Sequence, residues 1–138
     1  MAKVVLTDAR VTVNGVNLSD HVSSVTVETS KDEVDVTSMG AAFRQLLAGL
    51  GDATITLTVF QDFAAGSVHA TVWPLYSAGT TFPVTVRPTS AAESATNPTM
   101  TMTGIILSYS PIAGSVGDAS ATDISIRNAA QTGIVVTP

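Results

Sequence analysis

Residues 53–60 alternate between apolar side chains and threonine without a break: Ala53, Ile55, Leu57 and Val59 interleave with Thr54, Thr56 and Thr58, and Phe60 closes the run. On a helix this order would scatter the apolar groups around the whole circumference. On a strand it sorts them, apolar side chains to one face and hydroxyls to the other. Both residue types also suit the pleated backbone, the β-branched ones most of all. The pattern returns at residues 83–87, at 120–127, and at 99–103 running on into Ile105, Ile106 and Leu107. Near the start, residues 11–13 and 16–18 flank Asn14-Gly15, the pair best suited to a type I′ hairpin turn, which needs positive φ at both central positions. Residues 24–28 and 34–37 read as another strand pair, joined across a polar turn at residues 29–33.

Two segments leave the period. Residues 41–48 are compatible with a short helix capped by Gly49, or equally with an ordered loop; two turns are marginal unless packing holds them. In residues 67–79, Val68, Val72, Leu75 and Tyr76 share one helical face, Ser67 stands as N-cap and Gly79 as stop. Pro74 predicts a kink or a tightened turn, because it lacks an N–H and crowds the preceding turn. Trp73 and Tyr76 are expected to pin this helix to a sheet. Residues 90–98 and 110–117 are the main loops. No repeat and no shift of composition divides the chain. The expectation is one domain, residues 1–138, mainly β: a β-sandwich or partly closed barrel with one principal flanking helix.

The polar remainder constrains function. Only 12% of the 138 residues are charged, against 45% hydrophobic. Such a surface is poorly defended against association, and it suits a chain whose faces and strand edges are covered by neighbours. The net charge is −5, with only six Lys and Arg, scattered along the chain. Tight binding of nucleic acid, which needs a basic patch against phosphate, is not expected. Cysteine is absent, which removes disulfides and thiolate metal sites. No apolar run has membrane-helix length and the first residues carry no signal pattern, so no membrane insertion and synthesis in a cytoplasm are expected.

Candidate chemical sites are sparse. Asp32, Glu33 and Asp35 form an acidic cluster, but without the spacing and glycine of a calcium loop. A solvated turn is the plainer reading. His21 follows Asp20, and the second histidine is His69; no nucleophile elbow accompanies them, and structural roles are expected for both. Gly114-Ser115-Val116-Gly117 lacks the Gly-Lys-Ser/Thr ending of a phosphate loop. Asn17-Leu18-Ser19 matches a glycosylation sequon, a chance-level tripeptide. Met100 and Met102 are expected to fill core space, and Asn97-Pro98 to end a loop before a strand. No catalytic residue, metal site or cofactor is assigned.

Several segments, in one order along nearly the whole chain, resemble the major tail tube proteins of long-tailed bacteriophages. They are Val13-Asn14-Gly15-Val16-Asn17-Leu18-Ser19-Asp20-His21-Val22, Val34-Asp35-Val36-Thr37-Ser38-Met39-Gly40 and Phe43-Arg44-Gln45-Leu46-Leu47-Ala48-Gly49-Leu50. The threonine-alternating strand follows, ending in Val59-Phe60-Gln61-Asp62-Phe63, and then Ala95-Thr96-Asn97-Pro98 and Tyr109-Ser110-Pro111 before Val116-Gly117-Asp118. The resemblance implies a structural virion protein. Its copies form rings, usually of six, that stack into a hollow tail tube through which DNA passes without specific binding. It also implies tape measure, tail terminator and baseplate or tip proteins as partners. On this reading the lumen carries Thr and Ser with some of Asp32, Glu33, Asp35 and Asp123. Contacts between copies fall at Ser30, Lys31, Ser38, Met39, Phe43 and Arg44, within residues 29–33 and 37–49. Another ring-forming tail or secretion-tube protein is the nearer alternative, and a secreted β-sandwich binding module the more distant one.

Overall fold

The threonine-alternating segment is the second half of a strand of 15 residues that lies next to one edge of a single curled sheet. The computed structural model describes Lys3 and residues 5–137. The strands are β1 (Arg10–Val13), β2 (Val16–Asn17), β3 (Val22–Asp35), β4 (Leu46–Phe60), β5 (Phe82–Arg87), β6 (Thr99–Tyr109), β7 (Ala121–Asn128) and β8 (Val135–Thr137). One helix, α1 (Val68–Ala78), and a 3₁₀ turn at Ser19–His21 complete the elements. The strand order is β2-β1-β5-β6-β7-β4-β3, antiparallel throughout, with β8 beside β6.

The alternation decides what is inside. Ala53, Ile55, Leu57 and Val59 are buried, as are their neighbours Ile124 and Ile126 on β7. Val11, Val13, Phe82, Val84, Val86, Met102 and Ile106 close the core from the other half of the sheet, and α1 adds Val68, Val72 and Leu75. Full burial of one such aliphatic side chain stabilises by roughly 1.5–3 kcal/mol before entropy is counted. Tyr76 is only half-buried at the core's margin, and Met100 is likewise half-buried while Met102 is enclosed.

β6 is the pivot. Up to Gly104 it pairs with β5; from Gly104 onward it pairs with β7, after β8 has covered the same edge at Thr99–Thr101. A register shift between Ile106 and Ser108 bends it, as a bulge does. The sheet curls but does not close. β1 and β3 face each other across an open cleft of about 560 Å³ lined by Arg10, Asn17, Val22 and Ser24 among others.

Local turn chemistry accounts for the ends. Asn14 (φ 50°) and Gly15 (φ 82°) supply the type I′ turn between β1 and β2. Gly79 (φ 65°) ends α1, its N–H donating to the carbonyls of Leu75 and Tyr76. At the other end Ser67 occupies the N-cap position, but its hydroxyl donates to Asp62 instead of capping. α1 is α-helical throughout, Pro74 included, with no tightened turn.

Two sequence expectations are overturned. Residues 29–33 are not a turn: β3 continues through them to Asp35, crossing a bulge between Lys31 and Glu33. Both faces meet solvent here, so polar side chains incur no burial cost by continuing the strand. Of the two readings of residues 41–48 the helix is overturned, while residues 41–45 do form a loop. Residues 46–48 belong to β4, paired with Glu33, Val34 and Asp35. A lone two-turn helix must pay its nucleation cost, whereas this backbone finds a ladder already laid by β3. Gly49 lies within that ladder, where an added Cβ would come within 3.0 Å of the Val34 side chain.

Candidate assembly surfaces

The outward face of β3, β4 and β7 is a field of hydroxyls. In register across it stand Ser24, Thr58 and Asp123; Thr26, Thr56 and Ser125; and Glu28, Thr54 and Arg127. Thr58 donates to Asp123 (2.7 Å), and Arg127 pairs with Asp52 (2.7 Å). With Arg127 thus matched, Glu28 and Asp123 leave the face acidic. Asp123 therefore belongs with the threonines.

Asp32, Glu33 and Asp35 do not lie on this field. They sit on an arm, residues 29–52 of the β3–β4 hairpin, which runs past the end of β7 at Asn128 into solvent. Ser30 and Lys31 stand near its base, and Ser38, Met39, Phe43 and Arg44 in the reversal at its tip. The reversal is tied by one carboxylate. Thr37 donates both its N–H (2.9 Å) and its hydroxyl (2.6 Å) to Asp35, and the Gln45 N–H donates to the Thr37 hydroxyl (2.9 Å). These bonds favour the ionised carboxyl and hold Asp35 below the ordinary carboxylate range, the Thr37 hydroxyl first. The arm also carries Val34, Val36, Met39, Phe43, Leu46, Leu47 and Leu50, all exposed; Phe43 is 85% exposed and Leu47 59%. Apolar groups in such number on a projecting element mark a surface awaiting a partner.

At the opposite end of the strands lies an aromatic platform. His69 and Trp73 stack one helical turn apart with ring centres 5.9 Å apart, Phe63 lies 4.9 Å from His69, and Tyr76 and Tyr109 complete the group. The Tyr109 hydroxyl lies 2.7 Å from Gln61 Nε2, which donates to it, and 3.2 Å from His69 Nδ1. Phe63 and Trp73 remain 59% and 43% exposed. Composition gave no sign of this grouping, since the four aromatic residues come from three separate parts of the chain.

His21, Asp62 and Ser67 meet beside it. Asp62 Oδ2 lies 3.0 Å from His21 Nε2 and accepts from the Ser67 hydroxyl at 2.8 Å. Ala64 N–H, then Ser67, then His21 hold the Asp62 carboxyl below its ordinary range. A hydrolytic triad uses both ring nitrogens of its histidine, one toward the acid and one toward the nucleophile. Here Nε2 alone faces both, with Ser67 Oγ at 3.4 Å, so the ring cannot relay a proton between them. The cluster is a clasp between the 3₁₀ turn and the start of α1. Asn97 works similarly within its loop: it is buried, accepts from Thr89 N–H and donates to the carbonyls of Ala91 and Ala92. Among the described residues no three acidic or histidine side chains converge as a metal set, and no helix is long and apolar enough to cross a membrane.

Besides the outer edges of β2 and β8, two backbone edges are unpaired among the described residues. β3 has β4 on one side only, and β6 beyond Gly104 has β7 on one side only. Between them lie four strands, β6-β7-β4-β3, alternating in direction. The same architecture is found in solved structures. Against the SPP1 tail tube the TM-score is 0.77 at 15% identity, covering 98% of this chain and 79% of that one. The chain has a tail-tube fold. The tail of an empty gene transfer agent particle, refined with C6 symmetry, matches with TM-score 0.70 at 18% identity over 86% and 83% of the two chains. The sheath/tube terminator of an extracellular contractile injection system matches with TM-score 0.76 at 12% identity over 100% and 99%. No protein-family model and no curated sequence matches the chain.

Proposed function

We propose that this protein is a structural subunit that forms rings, six copies to a ring, which stack into the hollow tube of a virion tail. The observation that carries the reading is the four-strand unit with an open edge at each side. Because the four strands alternate in direction, β3 of one copy and β6 of the next meet antiparallel, and ring closure removes both exposed edges. The likeness to tail tubes at high coverage supports it. The whole chain acts as one unit, without catalysis or cofactor.

The hydroxyl field then faces the lumen. A conduit must pass a polyanion without gripping it, and basic side chains would add the counterion release that dominates non-specific affinity. Threonine and serine offer no net charge. Glu28 and Asp123 add a repulsion that fades over a Debye length of about 8 Å at physiological salt. Asp32, Glu33 and Asp35, carried on the arm, stand at junctions between copies. Tape measure, terminator and tip proteins are the expected partners. The likeness to a sheath/tube terminator favours a second reading, a ring that ends a tube and does not extend it. Electron microscopy of the purified chain separates the outcomes: extended tubes support the first reading, single rings the second, and monomers at all concentrations defeat both. Tight, salt-sensitive DNA binding by tubes would refute the lumen assignment.

A further inference from the structure

The two ends of the sheet are unlike. Past Gly104 and Asn128 the paired strands of the body stop and the arm continues, bearing exposed apolar side chains, with residues 130–134 beside its base. At the other end, where Phe60 pairs with Ala121 and Tyr109 with Ile124, lie the aromatic platform and the exposed Ile112. Rings of identically oriented copies that stack head to tail bring the arm end of one ring against the platform end of the next at every junction. Such a contact is heterologous, joining two different patches of the same chain.

We propose that the arm of one copy docks its tip, through Met39, Phe43 and Leu47, on the Phe63–Trp73–Tyr109 platform of a second copy in the adjacent ring. The inference rests on the stacked-ring reading above and names the surface that receives the arm. Four of the chain's seven aromatic side chains are gathered in this platform. The hydrogen bonds from Gln61 to Tyr109 and between Tyr109 and His69 fix those two rings, and Phe63 and Trp73 pack against them, so little side-chain freedom is lost on docking. Half-exposed, immobilised aromatic groups are the usual anchors of a protein interface. The arm supplies the complementary apolar surface, and at about 3.3 Å per residue its residues 29–35 carry the tip roughly 20 Å clear of the body. A second copy is the occupant because both patches occur on every copy, at opposite ends, and the stacking polarity juxtaposes them without a further component.

The absence of cysteine makes the test clean. In full-length protein carrying Phe43→Cys and Phe63→Cys, both at exposed positions, oxidation of assembled tubes is expected to give a ladder of disulfide-linked copies. Each single variant should give none, and neither should unstacked rings. Independently, Trp73→Ala should shorten tubes at least tenfold while the subunit's circular dichroism stays unchanged. Tubes that form normally yet give no ladder would overturn the docking proposal and leave the stacked-ring reading standing. So would a ladder formed equally by single rings, or full-length tubes from the Trp73 variant. Wild-type protein that never stacks would remove the stacked-ring reading and this inference with it.

Discussion

β4 is one strand with two lives. From Ala53 to Val59 every second side chain is buried, while from Leu46 to Asp52 none is, although the same partner, β3, lies alongside throughout. The hydrogen-bonded ladder is common to both halves, so it cannot be what separates them. The difference is that β7, α1 and the far half of the sheet cover the body half only. A two-stranded hairpin alone is marginally stable in water. The arm is therefore held in shape by its tip and by continuity with the body, and it acquires a core of its own only when another surface covers it.

Single truncations should expose that contrast most strongly. Leu57→Ala, in the body, is expected to cost about 2–5 kcal/mol in denaturant unfolding of the subunit. Leu47→Ala, in the arm, should stay within about 0.5 kcal/mol by the same measurement, because nothing is packed there to lose. Hydrogen exchange sharpens the point: arm amides should exchange freely in the monomer and become protected in the tube, whereas those of residues 53–59 should be slow in both. A comparable Leu47→Ala loss in the monomer would show that the arm already packs against the body.

Next in size is Gly104, where β6 changes partners. An added Cβ there runs into the Ile126 side chain and lies 3.2 Å from the Arg127 carbonyl. Gly104→Ala should cost about 1–3 kcal/mol by overpacking, measured as a fall in the unfolding midpoint.

Acid should act on each region through one carboxylate. Asp62 and Asp35 both have folded pKa values below the ordinary range, so their stabilisation is present above that range and is lost as pH falls through the folded values. Asp62→Asn should flatten the acid limb of global unfolding. Asp35→Asn should alter only the exchange of the arm tip. If both variants change global unfolding alike, the arm and body are more tightly coupled than their packing indicates. The smallest effect belongs to Arg127→Ala: its pair with Asp52 is about half exposed, and such pairs contribute about 0–1 kcal/mol in a double-mutant cycle.

Much of the body was legible because its residues state their own faces. Ile55, Leu57 and Val59, the Asn14-Gly15 turn and the Val68, Val72, Leu75 stripe each carry a local signal that burial reinforces. The arm was misread for the converse reason. In residues 29–50 no face is buried in the subunit, so no alternation is required, and the ladder is fixed by a partner far along the chain. Leu46 and Leu47, adjacent and ahead of a glycine, looked helical by composition but are extended by pairing. The platform was invisible for another reason: Phe63, Trp73 and Tyr109 converge only through the way α1 lies against β6.

On the proposed ring, the four-strand unit has a consequence for the bore. An even number of alternating strands presents opposed directions at its two outer edges, so successive copies join in the same sense however many there are. Strand polarity thus sets no preferred copy number. Circumference must come from the angle each copy contributes, that is from strand twist and tilt. The register shifts between Val22 and Ser24 and between Ile106 and Ser108 lie in the two strands that would join, where a bulge bends and twists its strand. Removing a bulge should alter the width of the channel before it alters the ability of copies to close around it.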